Sequence, residues 1–143
     1  MKKNIFTIIR FLLLLVVTVS ILTGCFFRVK EKVYYSNEEN YVSATGTVIH
    51  LSYNEKGDRL MIGLSDLSEK FEGSSFFVGG KNLQILLDEN ALELIHIGDT
   101  LSFTAAPRIF GDGYSVPIVA LTVKGQEVLN FETGWKNLMQ EYR

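Results

Sequence analysis

Two histidines and one cysteine are all that 143 residues hold of the side chains most used for proton transfer, thiol chemistry and transition-metal binding. With Cys25 alone, no disulfide can form within the chain. His50 falls within an expected strand and His96 near an expected helix end, neither beside a recognisable nucleophile, so both are expected to pack or cap. No G-x-S-x-G, H-E-x-x-H or P-loop pattern is present. Asp58, Asp66 and Asp112 lack the spacing of a calcium loop and suit polar turns, where a carboxylate bonds its own backbone. Gly79-Gly80 and Gly111-Asp112-Gly113 are turn glycines and not a phosphate loop. The expectation is no catalytic residue, no metal site and no cofactor. A small envelope enzyme or metal-dependent hydrolase stands as the alternative, and it would need a convergent set of groups that the sequence does not display.

A basic surplus is missing as well. Sixteen acidic residues stand against fourteen basic ones, and Lys2, Lys3 and Arg10 all lie within the first 24 positions. Residues 25–143 therefore carry eleven basic against sixteen acidic side chains, a balance of −5. Phosphate backbones demand basic patches, so nucleic acid is not an expected partner.

What the sequence does have is one long apolar run. It begins MKKNIFTIIRFLLLLVVTVSILTGC, and Phe11 to Leu22 is broken only by Thr18 and Ser20. A basic start, an apolar middle and small residues at the end describe a secretory signal. The stretch from Ile5 to Leu22 is also nearly long enough to span a bilayer, which takes about 20 apolar residues. An uncleaved anchor therefore competes with a cleaved signal. Leu22-Thr23-Gly24-Cys25 separates them, because it resembles the lipobox of bacterial lipoproteins. The resemblance implies a diacylglyceryl thioether on Cys25, cleavage between Gly24 and Cys25, and a protein held on the membrane outside the cytoplasm. Two acyl chains suffice for stable attachment where one does not. The expected organisation is residues 1–24 as signal peptide, 25–40 as a lipidated tether, and 41–143 as one domain.

The tether, FFRVKEKVYYSNEEN, alternates charge without a sustained period, and its Tyr34 and Tyr35 are expected mainly to pack. Strand signals follow. Tyr41 to Tyr53 alternates, but its apolar face changes near Gly46–Val48, which predicts a β-bulge there. A polar turn at 54–58 leads into Arg59–Leu64, with Leu60, Ile62 and Leu64 on one side. Ser75–Leu87 reads as a third strand that Gly79-Gly80 interrupts by a bulge or a turn. Asp88-Glu89-Asn90 reads as a helix start and Gly98 as its end. Thr100–Ala106, stopped by Pro107, is a fourth strand, and Ser115–Lys124 a fifth whose Pro117 suits a strand beginning. Trp135, Leu138, Met139 and Tyr142 share one helical face, with Thr133 as the expected cap.

Three strands, a helix and two strands is the order of the OB-fold, a five-stranded Greek-key barrel. Ile97-Gly98-Asp99-Thr100-Leu101-Ser102-Phe103 resembles the entry to strand four of such barrels, and the likeness covers about residues 40–130. As a whole the chain resembles the small OB-like lipoproteins of bacterial envelopes. The expected fold is thus a mainly β, five-stranded OB-like barrel with a helix between strands three and four, a C-terminal helix, and a signal-peptide helix in front. The expected role is a membrane-anchored binding or assembly module for an envelope protein or glycan. Such barrels meet ligands on the strand 2–3 face and the neighbouring loops. The loop from Pro107 to Tyr114 supplies Arg108, Phe110 and Tyr114 as candidate partner-binding residues, since arginine and aromatics most often anchor interfaces.

Overall fold

The computed structural model describes residues 2–54, 56, 58–107 and 115–142, with the side chains of all of these except 2–8, 21–28 and 54. A long helix, α1 (Lys2–Ser36), leads through a short 3-10 turn at Glu38–Asn40 into the barrel. The strands are β1 (Val42–Asn54), β2 (Arg59–Ser65), β3 (Ser75–Gly79), β4 (Thr100–Ala105), β5 (Ser115–Val123) and β6 (Gln126–Leu129). Helix α2 (Gly80–Asp88) stands between β3 and β4, and α3 (Phe131–Glu141) follows β6.

The hydrogen-bonded order is β3-β2-β1-β4-β5-β6, and β3 also pairs with β5. That last pairing is parallel, with Phe76 opposite Val116, whereas the other pairings are antiparallel. It closes five strands into the OB-like Greek-key barrel, with the α2 segment between strands three and four. Closure removes the sheet edges that an open five-stranded sheet would expose.

The interior follows from alternation. Leu60, Ile62 and Leu64 of β2 all point inward, as do Leu101 and Phe103 of β4. Phe71, Phe76 and Phe103 meet edge-to-face or tilted with centroids 4.8–5.6 Å apart, a geometry that suits aromatic quadrupoles. A second, smaller apolar cluster lies outside the barrel wall. It is built on Tyr35, Ala106, Val119 and Leu138, with Trp135, Met139 and Tyr142 packed around them.

Several local expectations are corrected. The bulge of β1 lies between Val48 and His50, so Ile49 is the extra residue and not Gly46. Gly46 is there for close packing instead, since a Cβ would stand 3.0 Å from Leu67 and 3.1 Å from Leu64. Gly79-Gly80 is neither a bulge nor a strand turn; it is the junction where β3 ends and α2 begins. Asn82, Leu83 and Leu86 are the residues that α2 buries, a helical and not an alternating spacing. Asp88-Glu89-Asn90 is accordingly a helix end. Asn90 takes a left-handed φ of 52°, and a single 3-10 turn, Ala91–Leu94, follows. Asn130, and not Thr133, caps α3: its side chain accepts the Thr133 N–H at 2.9 Å.

Strand β6 has no counterpart in the sequence reading. Lys124 and Gly125 both have positive φ, 52° and 82°, the signature of a two-residue hairpin turn that sends the chain back along β5. Helix α1 also runs unbroken to Ser36, where the sequence shows no sustained period. Among the described residues no helix is long and apolar enough to cross a membrane.

Candidate functional site

Cys25 and Gly24, the expected lipidation and cleavage positions, lie within α1, and their side chains are outside the described set. Arg108, Phe110 and Tyr114 lie outside the described residues. The described strand that follows them, β5, begins at Ser115, which pairs with Ser75 at the start of β3. Arg59 pairs with Gly79, and the Gly80 N–H donates to the Asp58 carbonyl at 3.3 Å, so the 54–58 turn stands at the other end of β3. The outer face of β2 and β3 thus runs from the Ser75–Ser115 pair to Asp58.

That face carries a compact set of side chains that the inward alternation leaves over. Met61 lies opposite Phe77 on β3 and opposite Ser52 on β1. The Arg59 guanidinium sits over the Phe77 ring, 4.6 Å from its centroid, a cation–π arrangement. Gly63 and Gly79 flank this set and leave the backbone low on either side. Glu141 at the end of α3 reaches the same corner, close against Gly80. Burial raises its carboxyl pKa, Arg59 opposes that rise, and Asp58 adds to it. The sequence signal for this face was present: Arg59 and Met61 occupy the alternate positions to Leu60 and Ile62. It is overlooked when strand residues are read only for the core.

The two histidines are surface residues. His50 is exposed opposite Gly63. His96 belongs to the turn before β4. Its backbone N–H donates to Asp99 Oδ2 at 2.8 Å, and Lys124 Nζ stands 3.3 Å from the same oxygen. The His96 N–H bond chiefly lowers the Asp99 pKa; desolvation opposes it, and Lys124 adds to the lowering. The turn is stitched to the bulge of β1: Gly98 N–H donates to the Val48 carbonyl at 2.8 Å and Val48 N–H to that of Asp99 at 2.9 Å. This is a structural lock on the strand-four entry.

Among the described residues the domain carries hollows, two of which border its helices or outer wall. One, of about 300 Å³, lies between α2 and β6 and is lined by Ile85, Glu89, Glu127, Asn130 and Thr133 among others. The other, of about 220 Å³, runs over the hydroxyl-rich outside of β1, β4 and β5 beside Phe131. Among the described residues, no group of three His, Cys, Asp or Glu is placed to hold a metal ion.

The displaced tyrosines gather elsewhere, where α1 joins the barrel. The last carbonyls of a helix have no partner within it. Here Tyr41 Oη and Trp135 Nε1 both donate to the Tyr35 carbonyl at 3.0 Å, and Asn40 Nδ2 donates to that of Tyr34 at 2.7 Å. Tyr35 and Tyr142 stack with centroids 5.8 Å apart. Burial raises the phenol pKa of Tyr35 and Tyr41 well above the usual value and pushes that of Tyr142 up to about 12. The joint thus ties α1, the start of β1 and α3 into one body. Compared with protein-family models, with curated proteins and with solved structures, the chain shows no match.

Proposed function

We propose that this protein is a membrane-anchored extracytoplasmic lipoprotein, acylated on Cys25, whose OB-like barrel serves as a binding or assembly module for an envelope protein or glycan. The observation that supports it most is the exposed part of α1. Phe11, Leu12, Leu13 and Leu14 are consecutive and 73, 56, 61 and 69 % exposed, so this stretch of the helix presents apolar side chains on every side. A helix of that kind belongs in lipid or in a protein core. It leads directly to Leu22-Thr23-Gly24-Cys25, where a signal would be removed and replaced by acyl chains.

The partner surface in this reading is the β2–β3 face, with Arg59, Met61 and Phe77, and Arg108, Phe110 and Tyr114 remain the sequence's own candidates for the same partner. Arginine and aromatic side chains on a shallow wall suit a polar chain or a sugar ring, and the role is one of binding without catalysis. The anchor is tested by mass spectrometry of the mature N-terminus. The expected species begins at Cys25 with a diacylglyceryl mass, and Cys25→Ser accumulates as uncleaved precursor. A wild-type chain that retains Lys2 or Asn4 and lacks an acyl mass removes the lipoprotein reading.

A further inference from the structure

After removal of residues 1–24, the rest of α1 is a stem, residues 26–36, about 16 Å long at about 1.5 Å per residue. Its two sides differ. Tyr35 is buried and Tyr34 half-buried against the barrel. Val29 and Val33 are 60 and 65 % exposed. At about 100° per residue these two share one face, and the Tyr34 and Glu31 positions fall roughly opposite it. Position 25 lies one turn before Val29 and hence on the same side. Lys30 and Lys32, both exposed, border the valine face on its two flanks.

Charge divides along the same line. Residues 26–36 carry three basic side chains and one acid, whereas residues 37–143 carry eight basic and fifteen acidic. A basic stem thus carries an acidic domain. An apolar stripe bordered by lysines is the pattern of a helix that lies in the plane of an anionic interface. We infer that the stem lies flat on an anionic phospholipid surface through Val29 and Val33, with Lys30 and Lys32 at the headgroups, and so sets the orientation of the barrel. This inference rests on the anchor at Cys25, which would begin at the same face. The fixed joint at Tyr35 is what makes it consequential: a stem that is flat on lipid dictates which side of the barrel faces away from it. The acidic domain, repelled by the same headgroups, favours the pose in which only the stem touches.

The test uses the full acylated protein. Because the Cys25 sulfur is held in its thioether, one new cysteine takes one nitroxide, in separate Val29→Cys, Val33→Cys and Glu38→Cys variants. Each is placed in phosphatidylcholine vesicles with none or roughly a third phosphatidylglycerol, the composition that brings in the surface potential. Labels at 29 and 33 are expected to lose access to a water-soluble relaxation agent several-fold when phosphatidylglycerol is present, while the label at 38 keeps it. Lys30→Gln with Lys32→Gln is expected to lower the ratio of lipid-facing to water-facing stems on the order of 25-fold, about fivefold per charge, with vesicle attachment retained.

Equal water access at 29, 33 and 38 in the anionic vesicles, or a ratio unmoved by the lysine changes, overturns the inference. So do labels at 29 and 33 that are already shielded in detergent with dipolar broadening, which would assign the stripe to a second copy of the chain. Acylation is read separately by mass. An acylated chain with water-facing valines overturns the stem and leaves the anchor standing; an unacylated chain overturns both.

Discussion

Gly134 stands in the middle of α3, where a glycine ordinarily weakens a helix by about 1 kcal/mol relative to alanine. It is tolerated because a Cβ at that position would overlap the Val119 carbonyl oxygen. Val119 is the unmatched residue of the β5 bulge, turned out of the barrel between Ile118 and Ala120, which do pair with β4. The absence of a side chain on one element thus answers an extra residue on another. Gly134→Ala should destabilise, because overpacking costs about 1–3 kcal/mol and exceeds the helical gain. The thermal midpoint should fall by about 4–8 °C per kcal/mol lost. A midpoint that rises would mean that α3 can lift from β5 without cost.

At the same scale, the Tyr35 carbonyl takes two donors, Tyr41 Oη and Trp135 Nε1. Tyr41→Phe should cost about 0.5–1.5 kcal/mol, since Trp135 still satisfies the oxygen. Trp135→Phe should cost a similar amount. The double variant should cost more than the sum, because the two donors share one acceptor and each covers in part for the loss of the other. Denaturant midpoints of the four proteins decide it, and simple additivity would show that water replaces the lost donors. Trp135 is half-buried, so Trp135→Ala should fall below the about 3–5 kcal/mol that a fully buried ring would lose.

Elements meet at the α1–α3 joint, and its tyrosines give it a pH dependence. Tyr35, Tyr41 and Tyr142 hold their protons more tightly folded than unfolded, chiefly through burial; neighbouring tyrosines add to the effect at Tyr35 and Tyr41, and Glu31 at Tyr142. A raised folded pKa means stability that is fully present below the unfolded value and lost as pH rises through the folded one. The window therefore opens near the unfolded tyrosine value of about 10 and, for Tyr142, closes near 12. Urea midpoints should be flat up to about pH 9 and then fall steeply towards about pH 11, and Tyr41→Phe should make that fall shallower. A slope unchanged in Tyr41→Phe would place the alkaline transition elsewhere.

The element scale also shows which patterns were legible. Leu60, Ile62 and Leu64 announced β2 because a strand with one buried face has a period of two. Residues 80–88 hid α2 because Leu83, Ile85, Leu86 and Leu87 satisfy both the strand and the helix period over so short a run. Strand β6 was hidden for another reason: four residues with two exposed polar ones have almost no pattern, and only the Lys124-Gly125 turn betrays the return.

At the largest scale the molecule is an acidic barrel on a basic stem, with Arg59, Met61 and Phe77 on the outer face of β2 and β3. If that face and the 107–114 loop engage one partner, Arg59→Ala with Phe77→Ala should reduce its crosslinked recovery from intact cells at least as much as Arg108→Ala with Phe110→Ala. Circular dichroism and membrane attachment should be unchanged in both. Full recovery with Arg59 and Phe77 removed, from folded and attached protein, would move the site off this wall of the barrel.

The sequence by itself determined the order of the five barrel strands, a helix between the third and fourth, a closing helix, and the inward faces of β2 and β4, because these depend on local period and on neighbours in the chain. The resemblance of Leu22-Thr23-Gly24-Cys25 to a lipobox, too, lies in adjacent residues and needs no fold to be read. Only the tertiary structure decided that β3 closes against β5, that Val119 turns outward to meet Gly134, and that Tyr41 and Trp135 converge on the carbonyl of Tyr35. Each joins residues far apart in the chain, up to a hundred positions for Trp135 and Tyr35. Their cause is the shape of a closed barrel, and a closed barrel has no period that can be read along a single strand.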